Sequence, residues 1–411
     1  MSTPAEVPWR SASLPFDAKP SAIEPSPDDR HVAIVLPASR TLRVIEMATG
    51  AVVSERRYEG VSVQWLGADL LLCGRAPRHR IEIELVSASN HEVVATWGAD
   101  RRNENAGAVE LGVTSDGTRG YLVSHLREGS FGSIGDFARI AIERDKAAGS
   151  VEFEIAPIDV RLRSPGMGRS AQKHTRRSLE RSSGHLLVVH QADVTRPFDT
   201  TVIDLRTGTA SAPVETRQDL GPFHPVPRWV APGLLMFGDV LSAYDGTKLW
   251  LTAVPPGPAL REALVPRAGE APEAVQAIAS LRDSTLHRDG RRVYGVHTGR
   301  VNGTYCTRGW ITDLRDDLRA KPVGIWKQLP ETLAWIGEGV TGAAKGTGVS
   351  TPLPFFRNAR DENAIEVAGP SNAGVFGYVH EIRTSPGGAW LILRMDTGHA
   401  AWAPVEAFAA V

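Results

Sequence analysis

Short apolar segments alternate with tight turns along most of this sequence, and residues 22–58 show the pattern most completely. The segment His31–Leu36 is apolar throughout, Leu42–Glu46 alternates apolar and polar positions, and Ala51–Glu55 follows a Thr-Gly turn. Alternation with a period of two, bounded by Gly, Pro, Asp and Ser, is typical of β-strands. With the extended segment Ala22–Glu24 in front, the pattern predicts a four-stranded antiparallel meander.

The turns of this meander are specified by their residues. Pro27 presets φ in the first turn, and the side chains of Asp28 and Asp29 are able to accept hydrogen bonds from the main chain. Gly50 supplies a positive φ in the turn before the last strand. The stretch therefore predicts both its strands and the way they are joined.

The unit recurs along the chain. Turns between first and second strands fall near positions 28, 67, 116, 183, 232, 289, 338 and 387, and four of the seven intervals are 49 residues. Regular spacing of this kind indicates a repeat protein. Some of these turns follow a tryptophan instead of an Asp or Ser: Trp65, Trp229 and Trp335. We interpret the three tryptophans as packing residues between repeats rather than as a ligand-binding cage.

Two motifs resemble the repeats of WD40-like and TolB-like β-propellers. They are Ser26-Pro27-Asp28-Asp29-Arg30, followed by Val32-Ala33, and Asp204-Leu205-Arg206-Thr207-Gly208. The resemblance covers most of residues 22–405, although the Gly-His and Trp-Asp dipeptides of eukaryotic WD40 repeats are missing. It implies an all-β fold, a propeller of four-stranded antiparallel blades. In that family the first motif links the inner strands of a blade and the second precedes its outer strand.

The turns predict eight blades, with seven as the alternative if residues 333–367 form only an elaborated loop. The last unit, after residue 379, has three strands, so we expect Val7–Leu14 to supply its outer strand. The predicted organisation is an N-terminal segment, residues 1–21, that closes the last blade, and a single propeller domain over residues 22–411.

Composition narrows the class of protein. The chain has 411 residues, 42% of them hydrophobic and 23% charged, and a net charge of −1, so no overall field favours nucleic acid. Its start lacks the pattern of a signal peptide and no segment approaches the length of a membrane span, so we expect a cytoplasmic protein with no membrane contact. Cys73 and Cys306 are expected to be reduced, mostly buried thiols.

The connections differ in length in a regular way. Turns between first and second strands, and between third and fourth strands, are mostly tight. The longer segments join second to third strands or one blade to the next: 98–107, 124–137, 156–174, 191–199, 217–226, 255–275, 297–308 and 341–363. Long connections that pairing does not require usually carry function, so we predict that the long-loop face of the propeller is the functional one.

One of these connections is strongly basic. Its candidate partner-binding residues are Arg161, Arg163, Arg169, Lys173, Arg176 and Arg177. Such a density of cations suits an acidic protein surface or a phosphate backbone. The segment has no aromatic residues to stack on bases, and a solvated loop is the plainer interpretation.

No catalytic signature is present. The glycine-rich stretch Gly339–Ser350 lacks the Lys-Ser or Lys-Thr pair of a nucleotide-binding loop, and no Gly-x-Ser-x-Gly elbow occurs. No Cys or His cluster has zinc spacing, and His185 and His190 point to opposite faces of one strand. We therefore expect no catalytic residue, no cofactor and no metal, although carboxylates from separate blades are able to meet at a channel without leaving a local motif.

These observations predict a non-catalytic protein–protein interaction scaffold, a subunit of a multi-protein assembly that binds protein partners through its long-loop face. Arginine and aromatic residues on that face are the expected anchors. The first alternative is a metal-dependent hydrolase or lactonase-like enzyme, or a small-ligand binder, at the mouth of the channel. The second is a nucleic-acid-associated subunit that uses the basic connection.

Overall fold

The computed structural model describes these parts of the chain: residues 4–12, 20–60, 62–76, 80–100, 106–126, 134–145, 150–158, 176–190, 198–216, 228–231, 233–237, 240–244, 249–254, 275–289, 291–301, 304–313, 320–328, 330–344, 346–348, 351–370, 377–395 and 399–411. They contain β-strands and one short helix, and they group into two compact units. The N-terminal unit comprises Ala18–Asp219 and Tyr244–Leu249, and the C-terminal unit comprises Met1–Asp17, Leu220–Ala243 and Trp250–Val411.

Sheets 1 to 4 belong to the N-terminal unit, and each is an antiparallel meander. Sheet 1 consists of β2 (Ala22–Pro25), β3 (His31–Leu36), β4 (Thr41–Glu46) and β5 (Val52–Arg57). Sheet 2 consists of β6 (Ser62–Leu66), β7 (Leu70–Arg75), β8 (Arg80–Ser87) and β9 (Val93–Asp100). Sheet 3 consists of β10 (Ala106–Val113), β11 (Arg119–Leu126), β12 (Ile134–Asp145) and β13 (Ser150–Ile158). Sheet 4 consists of β14 (Arg176–Glu180), β15 (His185–His190), β16 (Phe198–Asp204) and β17 (Thr209–Ala210), with β18 (Val214–Thr216) also paired to β16.

Sheets 5 to 8 lie mainly or wholly in the C-terminal unit. Sheet 5 consists of β19 (Arg228–Ala231), β20 (Leu234–Phe237), β21 (Val240–Tyr244) and β22 (Leu249–Val254). Sheet 6 consists of β23 (Val275–Leu286), β24 (Arg292–Val301), β25 (Thr304–Asp313) and β26 (Ala320–Trp326). Sheet 7 consists of β27 (Pro330–Ile336), β28 (Gly339–Ala344), β29 (Leu353–Phe356) and β30 (Ile365–Val367). Sheet 8 consists of β31 (Val379–Thr384), β32 (Trp390–Met395), β33 (Ala400–Pro404) and the N-terminal strand β1 (Arg10–Ala12), and helix α1 (Glu406–Ala409) follows β33.

This topology confirms the predicted all-β class and the blade-like unit. Strand β3 has the bounds predicted from the sequence, and β4 and β5 differ from their predictions by one or two residues at an end. Consecutive four-stranded antiparallel meanders are the repeating element of a β-propeller. The architectural resemblance to WD40-like and TolB-like propellers is therefore confirmed.

Two of the predicted long connections are wrong. In the segment 297–308, β24 and β25 continue to Val301 and from Thr304, because ten consecutive residue pairs extend their antiparallel register. The segment 341–363 contains the end of β28 and all of β29. Glycines and polar residues weaken the alternation at the ends of β24 and β25, and β29 has only four residues with a proline among them, so the pattern of the sequence did not separate these strands from loops.

The turn between first and second strands has the same hydrogen bonds in several sheets. In sheet 1 the Ser26 N–H donates to the His31 carbonyl (2.8 Å), and the His31 N–H donates to Ser26 Oγ (2.9 Å). Ser26 Oγ in turn donates to Asp28 Oδ1 (2.6 Å). The equivalent main-chain bonds, from a residue to the fifth residue after it, are Thr114 to Arg119, His287 to Arg292 and Ser385 to Trp390. The predicted Ser-x-Asp turn is thus confirmed at the level of its side-chain contacts.

Positive φ angles occur at one position of this turn, three residues after its first hydroxyl. Glycine occupies it in sheets 3 and 8, where Gly117 has φ 70° and Gly388 has φ 79°. In sheet 1 the residue is Asp29, with φ 59°. The left-handed region costs a residue with a Cβ about 1 kcal/mol or more, and Asp is among the side chains that tolerate it best.

Tryptophans join neighbouring sheets in both units. In the N-terminal unit the indole N–H of Trp65 in β6 donates to the Glu24 carbonyl of β2 (2.6 Å). In the C-terminal unit Trp335 in β27 makes the equivalent bond to the Thr285 carbonyl of β23 (2.8 Å). Both side chains are buried, and each first strand is thereby fixed against the first strand of the preceding sheet. The packing role predicted for these two tryptophans is confirmed, and Trp229 in β19 is half-buried.

Apolar clusters fill the space between these sheets. The cluster between sheets 6 and 7 contains Tyr294, Val296, Trp326, Leu333 and Trp335. It includes a buried polar contact, because the indole N–H of Trp326 donates to the Tyr294 hydroxyl (2.9 Å). Similar clusters lie between sheets 1 and 2, 2 and 3, 3 and 4, and 7 and 8. The cores of both units are therefore formed mainly between sheets, as expected for sheets that are apolar on both faces.

Sheet 6 has a histidine where the other turns have Ser or Thr. His287 is buried, and its Nδ1 lies 2.9 Å from Asp289 Oδ2. Arg292 bridges Asp289 Oδ2 (2.8 Å from Nε) and Glu338 Oε2 (2.5 Å from Nη1), and its Cζ lies 5.7 Å from the centre of the Trp335 ring. Partial burial opposes ionisation of Asp289, but hydrogen bonds from the N–H of Arg291 and from Arg292 outweigh it and hold the pKa of that carboxyl far below its usual range.

Bulges in two outer strands expose pairs of valines. The register between β4 and β5 shifts so that Val44 pairs with Ser54 and Ile45 with Val52, which leaves Val53 as the extra residue. The register between β8 and β9 shifts in the same way, and Val93 and Val94 are exposed there as Val52 and Val53 are in sheet 1. The bulges twist these edge strands, which discourages pairing with other chains.

We expect Trp335→Phe to lower the free energy of unfolding by about 1–3 kcal/mol, because it leaves the Thr285 carbonyl without its buried donor. Chemical denaturation followed by circular dichroism measures the loss. Trp97→Phe, at a half-buried position of the outer strand β9, is the matched control and should change stability by less than half as much. Equal effects of the two substitutions would contradict the role of the intersheet hydrogen bond.

Asp289→Asn should destabilise the protein at neutral pH, and the difference from the wild type should shrink as the pH falls below about 4. The sign follows because the folded-state pKa of Asp289 lies below its ordinary value of 3.8, so its stabilisation is complete above that value and is lost on acidification. Unfolding measured between pH 3 and pH 7 tests this. Asp69→Asn, at an exposed side chain, serves as the control, and a pH-independent difference for Asp289→Asn would refute the prediction.

Candidate functional site

The predicted basic site falls largely outside the described residues. Arg161, Arg163, Arg169 and Lys173 lie outside them, and the backbone of the sixth candidate, Arg176, begins β14. Of the six, the structure describes the side-chain contacts of Arg177 only. The other five residues therefore stay predicted partner contacts, and Arg177 is described below.

Arg177 is held inside the N-terminal unit by a carboxylate. Its Nε donates to Glu110 Oε1 (3.0 Å), its Nη2 pairs with Glu110 Oε2, and its side chain is 12% exposed. Glu110 also accepts the Tyr121 hydroxyl (2.8 Å), and burial followed by the Glu110 charge raises the pKa of Tyr121. The contact joins β10 to β14. Arg177 therefore fixes the point at which the basic connection enters sheet 4.

A cavity of about 300 Å³ lies in the C-terminal unit between sheets 6 and 7. Its apolar wall includes Trp326 at the end of β26, Pro330 at the start of β27, Ala344 at the end of β28, and Pro352 and Pro354 around the start of β29. The lining comes from the connection between sheets 6 and 7, from the connection between β28 and β29, from the strand residues beside them, and from residues 363–366 at the start of β30. The cavity therefore lies where sheets 6 and 7 meet.

Polar groups surround the apolar wall. Lys327 Nζ lies 3.5 Å from Glu366 Oε1 at the rim, and the amides of Gln328 and Asn363 also line the cavity. A primary amide offers both donors and an acceptor, which is what an extended peptide main chain requires of its partner. Proline has no N–H, so the segment from Pro352 to Pro354 presents fewer donors than an ordinary strand. The lining thus combines an apolar wall with polar and charged side chains.

Exposed apolar side chains lie beside this cavity. The six large apolar side chains found exposed in the described part of the chain are Val52, Val53, Val93, Val94, Ile325 and Tyr378. Ile325, 45% exposed, lines the cavity directly. Tyr378, 55% exposed, forms an isolated bridge with Gly348, next to the cavity residue Thr347. An apolar cavity with exposed apolar side chains around it is typical of a binding surface.

The described lining of the cavity carries one positive and one negative side chain. Lys327 and Glu366 are its charged residues, and they pair with each other at the rim. Within the part of the chain that the structure describes, no group of three or more His, Cys, Asp or Glu side chains lies close enough to hold a metal ion. In the same part of the chain no helix has the length and apolar character needed to cross a membrane.

Cys73 has a buried thiol. It lies in the cluster between sheets 1 and 2 and is 1% exposed. Burial raises the pKa of its thiol to about 12, so the reactive thiolate is not populated at neutral pH. The expectation of a buried, reduced thiol is confirmed for Cys73.

Sequence analysis did not identify the cavity. The residues of the cavity come from four separate segments, and each segment alone reads as an ordinary turn or loop. The run Pro352-Leu-Pro-Phe-Phe356 is the one local signal, since proline alternating with apolar residues predicts an edge strand. The Glu110–Arg177 pair was also missed, because the two residues are 67 positions apart.

Comparisons with known proteins gave no match by sequence and remote matches by structure. Neither protein-family models nor curated proteins match the sequence. Similar solved structures include the β-propeller domain of Cps50 (Swd1) from Myceliophteria thermophila, with a TM-score of 0.46 and 10% identity over 96% of this chain and 98% of that one. Hydrazine synthase from Kuenenia stuttgartiensis has a TM-score of 0.46 and 10% identity over 95% and 97%, and the Dos1 propeller has 0.41 and 9% over 94% and 78%. Similarity at this level carries no argument about activity or partners.

We expect Arg177→Ala to lower the free energy of unfolding by about 2 kcal/mol, because a half-buried carboxylate loses its charged donor. Arg181→Ala, at an arginine in the following turn whose contact with Gln64 Oε1 is long (3.4 Å) and exposed, should have little effect. Thermal and chemical unfolding of both variants gives the comparison. A loss for Arg177→Ala no greater than for Arg181→Ala would exclude the anchoring role.

Proposed function

We propose that this protein is a non-catalytic interaction scaffold of the β-propeller type, which binds an extended segment of a partner protein at the long-loop end of its sheets. The observation that carries the proposal is the cavity between sheets 6 and 7 together with exposed Ile325 and Tyr378 beside it. The cavity is lined in part by the connections 327–329 and 345–352, and connections at the surface often carry binding residues.

The cavity indicates what the partner offers. Its volume and apolar wall suit one large apolar or aromatic side chain as an anchor. Around that anchor, Gln328 and Asn363 are available to the main chain of the segment, and the Lys327–Glu366 pair is available to charged neighbours of either sign. A small pocket with a polar rim is the usual form of an interface hot spot.

The basic connection is proposed as a second contact, for acidic residues of a protein partner. Its residues are Arg161, Arg163, Arg169, Lys173 and Arg176, with Arg177 as the anchor at its base. Variants that test it should leave Arg177 unchanged, because its loss affects folding. Three further points stay predictions. They are nucleic-acid binding by this connection, a cytoplasmic location, and a single propeller domain of eight or seven blades over residues 22–411.

The test is affinity capture of the tagged full chain from the cells that make it, followed by mass spectrometry. Ile325→Asp should reduce recovery of a stoichiometric partner by about 30-fold or more, the loss typical of a hot-spot residue. Val93→Asp, at an exposed valine of sheet 2, is the matched control and should leave recovery unchanged. Recovery that survives Ile325→Asp would exclude the cavity as the docking site.

A further inference from the structure

The N-terminal residues 4–12, here called the strap, form part of the C-terminal unit. Ala5 N–H donates to the Glu366 carbonyl (2.8 Å), and the Ala368 N–H donates to the Ala5 carbonyl (2.8 Å). These bonds give a parallel bridge between Ala5 and Val367 in β30. The strap therefore extends sheet 7 beyond its fourth strand before it completes sheet 8.

Side chains hold the strap in place. Val7 is 8% exposed and belongs to the apolar cluster that contains Leu353 and Val367 of sheet 7. The indole N–H of Trp9 donates to the Ala368 carbonyl (2.7 Å). The Trp9 ring meets Phe408 of α1 edge to face, with ring centres 6.2 Å apart. The strap is thus fixed by the apolar side chains of Val7 and Trp9 and by three hydrogen bonds to the main chain of Glu366 and Ala368.

Strand β30 depends on this contact. It has three residues, Ile365–Val367, and pairs with β29 on one side. On its other side the contact recorded in the described residues is the strap. A three-residue strand with one open edge is a low-stability element that opens locally. The strap therefore supplies the second edge that β30 needs to stay ordered.

The same strand forms a wall of the cavity. Glu366 lies in β30 and Ala364 directly before it, and both line the cavity. The carbonyl of Glu366 accepts the strap's Ala5 N–H, while its carboxylate pairs with Lys327 at the rim. Aromatic contacts also connect the strap to sheet 7. Phe408 contacts Trp9 of the strap and Phe355 of β29, and the ring centres of Phe355 and Phe408 are 5.4 Å apart. Phe355 is adjacent in β29 to the cavity residue Pro354.

From these contacts we infer that Ala5 and Trp9 are positioning residues for the cavity: the strap holds β30, and so the cavity wall, in its binding geometry. The consequence for partner binding rests on the proposed function. The coupling between the strap and the stability of residues 353–368 does not depend on it. Detachment of the strap leaves sheets 6 and 7 folded and loosens the wall. Binding at the cavity then requires an attached N-terminus.

Hydrogen–deuterium exchange of the full chain, read from peptides that cover residues 353–368, tests the coupling. Ala5→Pro removes the N–H donor to Glu366 and no apolar surface, and we expect exchange to quicken about fivefold, the value of one hydrogen bond. Trp9→Ala should quicken it by about tenfold or more, since ring packing is lost as well. Trp9→Phe, which keeps a ring and removes the indole donor, should fall between the wild type and Trp9→Ala.

Glu6→Ala, at an exposed strap position, is the matched control and should leave exchange unchanged. Peptides covering residues 62–75 of sheet 2 should also be unaffected, which separates local opening from a loss of global stability. Unchanged exchange at 353–368 in both Ala5→Pro and Trp9→Ala would overturn the inference. An increase of equal size in sheet 2 would also overturn it, because the strap would then act on the whole fold.

Partner capture separates this inference from the proposed function. If exchange quickens and Trp9→Ala loses the partner that Ile325→Asp also loses, the positioning role is supported. Retention of the partner by Trp9→Ala, with loss in Ile325→Asp, would overturn the positioning role and leave the docking site in place. If Ile325→Asp retains the partner, the cavity is not the docking site. The hydrogen–deuterium exchange data would then still decide whether the strap holds β30 and the cavity wall in place.

Discussion

A four-stranded antiparallel sheet that is apolar on both faces has to be covered on both, and this constraint governs the rest of the structure. Several first strands pack against the preceding sheet in each unit, and the indoles of Trp65 and Trp335 fix that contact by donating to a carbonyl of the earlier first strand. In the C-terminal unit the cavity lies where sheets 6 and 7 meet, and exposed Ile325 and Tyr378 lie in it or beside it.

Local features of the fold followed from the sequence where the chemistry is local. Ser26 and Asp28 close a turn with bonds between residues no more than five positions apart, so their types and spacing predict the turn directly. Strand β3 was equally predictable, because a fully apolar run between two turn signals has little alternative. Strand β29 was missed since its four residues, with a proline among them and another just before them, are too few to show the alternation that identifies a strand.

Long-range features could not be predicted in the same way. The Glu110–Arg177 pair and the cavity depend on which strands become neighbours and in which register, and neither is encoded by spacing along the chain. The strap is an intermediate case. Counting three strands in the last unit indicated that Val7–Leu14 supplies a fourth, and β1 pairs there with β33. Its contact with β30 had no signal, because Ala5 binds through its main chain alone.

The strap has a consequence for the order in which the protein is made. Trp9 and Ala368 are 359 residues apart, so the ribosome adds the acceptor roughly 20–70 s after the donor at ordinary rates of synthesis. Sheets 1 to 3 pair strands that are near neighbours in the chain and are able to form as they emerge. The outer edge of sheet 7 has to wait for residues 365–368, and sheet 8 has to wait for β33. The N-terminal residues therefore stay without these contacts while more than three hundred residues are added.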